Sequence, residues 1–580
     1  MYMPRRAAAS ALLSALLAML SLASCGTKPP RFNIIAEEFV LNTLTFRPTQ
    51  ATAAGYHRHN GVPMDELLDE FSEPALNRQR AYYQRFSAGL DRDVVREKLA
   101  AEDQIDYDMV RQNIALARFD LDELRTWERD PLLYTGSFGQ ALFVPLTLEY
   151  APENARFYHI LKRLERFRSR VEQAKGNLKN MPPFWIEMAK AANQANRDLI
   201  QELRKRRPAE MSKKFDFAAE EADKALSDFE AFLSSATPGA EDSWRLGKEL
   251  YRKKLQLEHG EPLEPEALLT DAEAELRKIQ NEMAELAGWK PGSGQQAADA
   301  IRARLDQIAQ KRTSREKYFS QAEADLAEAI GFVRSRKLLP LGDTKNLVVT
   351  ETPAFQRGIY GVGGFNPAPP MQPALGAQYW LTPIPADWPQ ERIDSKLREY
   401  NAYGLKLLTI HEAMPGHYVQ FEAANRIEPR GRRLLRTVYA SMGFAEGWAI
   451  YSTEMMIEEG FLDHDPDLRM TFLKQQLRAV GNTVLDIKFH TQNWSETEAL
   501  NFLRNETFQE REEAEAKIQR AKLSSVQLTM YYAGYRAMRD LRRAYQAKLG
   551  SAFSLHDYHR DLLNLGAIPP SAAAKVLLGK

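Results

Sequence analysis

The sequence predicts a mainly α-helical chain with one minor β element, and three observations carry that expectation. Apolar residues recur at helical spacing over most of the 580 positions; in AEDQIDYDMVRQNIALARFDLDELRTW, for example, Ile105, Met109, Ile114, Leu116 and Leu121 mark one face. Proline and glycine punctuate this pattern at Asp130-Pro131, Met181-Pro182-Pro183, Thr237-Pro238-Gly239 and Pro291-Gly292-Ser293-Gly294, as they do between helices. Only one stretch, after Pro340, turns to strand-like composition.

The first residues place Arg5 and Arg6 before an uncharged apolar run from Ala7 to Ala23, the layout of a signal peptide. The run is short for a membrane span, which needs about 20 strongly apolar positions. It ends in Leu22-Ala23-Ser24-Cys25, which resembles a lipobox, and Cys25 is the only cysteine in the chain. Lipidation of Cys25 after removal of residues 1–24 is expected, with the lipid anchoring the protein in the cell envelope. Gly26 is not the aspartate that retains lipoproteins at the inner membrane, which favours the outer membrane, facing the periplasm. No thiol is then left for disulfides.

Residues 25–235 read as an N-terminal helical region and 236–340 as a second helical lobe, including the charged helix PEALLTDAEAELRKIQNEMAELAG; 341–580 carries the candidate chemistry. The chain balances 78 basic against 78 acidic residues, with no long basic run, which excludes an electrostatic nucleic-acid surface. Within the last region, Leu347-Val348-Val349-Thr350, Gly358 to Phe365 and Ala377 to Leu381 read as a small sheet or hairpin. Gly361, Gly363 and Gly364 do not make a phosphate loop, because Asn366-Pro367-Ala368-Pro369-Pro370 follows instead of a helix start. Helical pattern returns from Ile393.

The strongest local signal is His411-Glu412-Ala413-Met414-Pro415-Gly416-His417 at the end of an apolar helix. Imidazoles suit zinc, and a glutamate beside the first one suits a general base. The spacing of six, rather than four, would turn the second histidine by roughly 240° on a regular helix. Pro415 prevents a regular helix, since its ring meets the carbonyl of His411 and it lacks an N–H. With Gly416 supplying permissive backbone angles, a two-residue bulge can return His417 to the face of His411.

Three later features complete the candidate site. Glu446, inside the apolar run GFAEGWAIYSTE and 29 residues after His417, is the expected third ligand, because a buried carboxylate needs a partner. Two turns further, Glu454 is a candidate to orient a ligand histidine, or else a surface residue. Asp486 and His490, an i,i+4 pair, are candidates to fix an imidazole that donates to an oxyanion, or else a plain surface pair. In Gln527-Leu528-Thr529-Met530-Tyr531-Tyr532-Ala533-Gly534-Tyr535, a phenol of Tyr531 or Tyr532 could donate to the same oxyanion, or pack in a core.

Taken together these residues resemble the bacterial domain-of-unknown-function 885 family, itself similar to the M3 and M32 helical metallopeptidases of the zincin group. The resemblance rests on H-E-x-x-P-G-H-x-x-Q, met by His411, Glu412, Pro415, Gly416, His417 and Gln420, and on E-G-W-A-x-Y-x-E, met by Glu446, Gly447, Trp448, Ala449, Tyr451 and Glu454. It implies two helical lobes around a channel, a zinc ion on His411, His417 and Glu446, Glu412 as the base, Gln420, Glu454 and Asp486 in support, and His490 with a late tyrosine at the transition state. Asn482 stands where the pattern leads one to look for arginine, and no proline precedes the tyrosine segment after Gln527.

The expected activity is hydrolysis of short peptides, as an oligopeptidase or carboxypeptidase-like enzyme, with the segment Ala377 to Pro383 offering a strand edge to substrate. Two rivals remain: a non-catalytic envelope scaffold that keeps a metal or peptide site, and a zinc amidase acting on cell-wall peptides. An intact Glu412 speaks against the scaffold, because zinc binding does not require it.

Overall fold

The computed structural model describes residues 32–353, 357 and 361–579. The signal segment and Cys25 lie outside the described residues, as do parts of the stretch from Gly358 expected as strand. The chain is mainly α, with 72% helix and 3% strand. Two of the four proline breaks begin helices, where a missing N–H costs nothing, and Pro238 and Pro291 lie in loops. Asp130 caps α2 (Pro131–Thr147) by accepting from the Leu132 N–H at 2.8 Å, Pro183 opens α3 (Pro183–Arg206), and Pro265 opens the charged helix α5 (Pro265–Leu286).

Two large apolar cores organise the helices. One gathers Phe138 from α2, Phe157 and Phe167 from the helices between α2 and α3, Ile186 and Ile200 from α3, and Phe215 and Phe229 from α4 (Ser212–Ser235). The other joins α1 (Phe32–Leu44) to elements from Tyr251 to the C-terminal helices, so the first and last parts of the sequence share a core. Arg436 and Asp106, both fully buried, pair at 2.8 Å across that junction.

Besides a two-residue antiparallel pair, Arg58–His59 with Val62–Pro63, which the single expected β stretch does not include, the β structure is a three-stranded mixed sheet. Strands β1 (Leu347–Glu351), β2 (Gly363–Asn366) and β3 (Ala377–Leu381) lie in the order β1-β3-β2, with β1 parallel and β2 antiparallel to β3. This corrects one expectation. Ala377–Leu381 is the central strand, hydrogen-bonded on both sides, and offers no edge; Gly363–Asn366 is the edge strand that neighbours the histidines.

Six C-terminal helices matter for the site: α6 (Ala402–Glu412), α7 (His417–Ala424), α8 (Met442–Glu458), α9 (Pro466–Thr491), α10 (Arg511–Leu523) and α11 (Thr529–Leu549). Helices α8 and α11 cross in near backbone contact. A side chain at Gly534 would collide with the carbonyl of Gly443, and one at Gly447 would reach within 2.5 Å of the backbone of Gly534. No described helix is long and apolar enough to cross a membrane.

Candidate metal centre

The two histidines meet because the helix breaks between them. Helix α6 ends at Glu412, α7 starts at His417, and Gly416 is its N-cap with φ −71° and ψ −128°. The break replaces the expected bulge, and the role of Gly416 is spatial: its φ suits any residue, but a Cβ would overlap the carbonyl oxygen of His411. Trp448, fully buried on α8, fastens the break by donating its indole N–H to the carbonyls of Pro415 at 2.9 Å and Gly416 at 3.1 Å. The sheet braces the other side. The Tyr379 hydroxyl lies 3.2 Å from Thr409 Oγ1 on α6, and Phe365 stacks near His417 with ring centroids 6.3 Å apart.

His411, His417 and Glu446 offer three ligand atoms within 4.8 Å of one another, the one such cluster among the described residues. Glu446 Oε2 stands 3.5 Å from His411 Nε2 and 3.6 Å from His417 Nε2. These separations are long for charge-assisted hydrogen bonds, which run at about 2.7–2.9 Å. They match the edge of a zinc tetrahedron, about 3.3–3.6 Å for bonds of about 2.0–2.2 Å. Glu446 Oε2, His417 Nδ1 and both amide atoms of Gln420 are buried without a hydrogen-bond partner. Each such group costs about 1–3 kcal/mol unless something fills its valence. The donor set, with Glu446 Oε2 unbonded between two imidazole nitrogens, therefore fits a metal ion. Burial would raise the Glu446 carboxyl, but the two histidines outweigh it and hold the group well below the ordinary carboxylate range. Burial likewise lowers His417, and Glu446 with Glu412 overcomes it in the raising direction.

Glu412 follows His411 at the end of α6, half-buried, and makes no hydrogen bond or ion pair among the described residues. Both oxygens are thus open to a water beside the cluster. Gln420 sits one turn after His417 on α7, buried, with both side-chain amide atoms unbonded.

The remaining candidates are placed otherwise than expected. Glu454 does not orient a histidine: it accepts from the Tyr535 hydroxyl at 2.6 Å and faces Arg469 at 3.8 Å. Asp486 does not bond His490. Its oxygens accept from the Tyr251 hydroxyl and the Val526 N–H, each at 2.9 Å, and from the Leu528 N–H at 3.1 Å, while burial raises its pKa to about 6. His490 has both ring nitrogens engaged: Nδ1 accepts from the Leu246 N–H at 3.4 Å and Nε2–H donates to the Ser524 carbonyl at 2.9 Å. Fully bonded and buried, it has no donor left for an oxyanion. Asp486 and His490 instead pin the 524–528 loop that leads into α11.

That loop sets the tyrosines apart. The Tyr532 hydroxyl donates to Asp271, away from the cluster. Tyr531 lies one turn before Gly534, on the side of the helix crossing where Glu446 neighbours Gly447; its hydroxyl is raised by burial and then by the Glu446 charge. Arg520, on α10, donates to the Tyr531 hydroxyl at 3.1 Å. Arg520 and Lys517, one turn apart on α10, escape sequence reading because REEAEAKIQRAKL looks like a solvated charged face.

A family model matches residues 48–577, under the description of a bacterial protein of unknown function, DUF885. The chain belongs to the DUF885 family. A solved structure from Shewanella oneidensis, described as a candidate lipoprotein of unknown function, is 27% identical to the DUF885 chain, with TM-score 0.78 over 94% of this chain and 99% of that one. Another candidate lipoprotein, from Colwellia psychrerythraea, is 16% identical with TM-score 0.75 over 94% and 98% of the two chains, and shares the fold. No curated protein matches the chain. These comparisons do not extend to the M3 and M32 metallopeptidases.

Proposed function

We propose that this DUF885 chain is a zinc-dependent hydrolase of peptide bonds in short peptides, oligopeptidase or carboxypeptidase-like, held in the cell envelope by lipid on Cys25, with the outer membrane, facing the periplasm, as its place. The carrying observation is the His411, His417 and Glu446 cluster with Glu412 unpaired beside it. Zinc bound there supplies Lewis acidity, polarising a carbonyl and making water acidic near neutrality. Glu412 then takes the proton of the attacking water and returns it to the leaving amine, the work of a carboxylate with no competing partner. In this reading Tyr531, rather than Tyr532 or His490, donates to the carbonyl oxygen as it gains charge. Edge strand β2, next to His417, can pair with an extended substrate. The lipoprotein description of the similar structures supports the anchor.

The test is metal content of protein lacking residues 1–25, with His411→Ala, Glu446→Ala and Glu412→Gln, alongside peptide digestion. About one zinc per chain is expected, lost in the first two variants and kept in Glu412→Gln, whose turnover should fall by about 10²–10⁴. No zinc at neutral pH, even when supplied, defeats the hydrolase and leaves the binding scaffold. Digestion of cell-wall peptides but not of mixed peptides would make it an amidase.

A further inference from the structure

Lys517 is a buried lysine whose amine is unbonded among the described residues. The residue is 5% exposed and makes no side-chain hydrogen bond or ion pair among them. The other buried basic side chains, Arg156, Arg163, Arg436 and Lys522, are all hydrogen-bonded. The carboxylates that act on Lys517 are committed elsewhere: Glu513 pairs with Arg478, and Glu446 faces the two histidines. Burial first, then Arg478 and Arg520, pushes the lysine well below its ordinary pKa. Holding an ammonium in that setting is unfavourable, and hydrophobic packing would have avoided the cost.

Its position gives the cost a use. Arg520 follows one turn later, at the exposed rim, and bonds Tyr531; Tyr531 precedes by one turn the Gly534 contact that sits beside Glu446. A lysine at depth and a guanidinium at the rim thus share one face of α10, with the guanidinium on the Tyr531 phenol. Two cations of this kind favour an oxyanion, with Lys517 as a point charge and Arg520 as a planar donor.

We infer that Lys517, with Arg520 and Tyr531, forms a carboxylate-recognising subsite beside the metal centre, so that the peptides bound best carry a free carboxylate, either the C-terminal group or an acidic side chain. The inference rests on the peptide-hydrolase reading for its substrate, but not on turnover for its test. Binding is measured calorimetrically on zinc-supplied Glu412→Gln protein with Ala-Ala-Ala, its C-terminal amide, and Ala-Glu-Ala amide. A carboxylate-bearing peptide should bind about tenfold or more tighter than the neutral amide. The arm that wins identifies the terminal or the side-chain group. Lys517→Met should erase the preference, Lys517→Arg should restore part of it, and Arg520→Gln, at the rim where folding is not at stake, should reduce it by about threefold. Equal affinity for all three peptides, no binding of any, or a preference that survives in both Lys517→Met and Arg520→Gln overturns the subsite. Carboxylate-selective binding without turnover in the native protein would keep the subsite and defeat the hydrolase. Turnover without the selectivity would do the reverse.

Discussion

Replacing Trp448 by phenylalanine isolates the one side chain that fastens the break between the histidines. The ring volume largely remains, against His559 at 5.4 Å, but the N–H that reaches Pro415 at 2.9 Å and Gly416 at 3.1 Å is gone. Two buried carbonyls then lose their shared donor, at about 1–3 kcal/mol. If that donor mainly holds the backbone between His411 and His417 in register, the cost falls on the metal-loaded form. At 1.4 kcal/mol per tenfold, zinc affinity should drop by about 5- to 150-fold, in the range seen when groups that orient metal ligands are removed. Competition against a chelating dye at neutral pH measures this directly, with Trp289→Phe as control, because the Trp289 indole bonds Gln295 in an exposed loop remote in sequence from the site. A zinc affinity within twofold of native for Trp448→Phe would refute the account of the break. The two histidines would then be held by their helices alone.

Three other outcomes follow from the same geometry. Gly416→Ala should leave less than about a tenth of the native zinc content by mass spectrometry, since a Cβ would overlap the His411 carbonyl and overpacking against backbone displaces the ligands; near-native zinc would show that the break can move without cost. His490 is lowered to about 4 by burial, whereas the unfolded chain protonates near 6.5, so its contribution is full above about pH 6.5 and is lost as pH falls towards 4. The gap in urea midpoint between native protein and His490→Gln should therefore narrow on acidification through that window, while kcat at pH 7.5 changes less than tenfold in protein that stays folded; a constant gap, or a loss of about a thousandfold in kcat, would restore a catalytic histidine. Cys25→Ser should abolish incorporation of labelled palmitate and release the protein from membranes, and labelling that persists would place the modification elsewhere.

How far the sequence is legible depends on what each signal encodes. Helical spacing reports burial of one face, so the mainly α architecture and the proline-opened helices are visible without coordinates. The break at Pro415 is legible as well, because proline excludes a regular helix whatever surrounds it. The use of Gly416 is not, since a close approach to the His411 carbonyl exists only once the chain has turned. The Asp486 and His490 pair shows the same limit more sharply. Spacing of i,i+4 predicts that two residues share a face, but the Tyr251 hydroxyl and the 524–528 loop, distant in sequence, compete for those groups and win because unbonded loop amides would cost more. Sheet order is hidden likewise: composition suggests Ala377–Leu381 as strand, but only the pairing with β1 and β2 makes it central. Lys517 is the extreme case. In REEAEAKIQRAKL it is one charge among many, and what distinguishes it is an absence of partners that no linear pattern records. Chemistry that depends on unmet valences, at Glu446, Glu412 and Lys517 alike, is thus read from the folded chain, while the residue types able to perform it are read from the sequence.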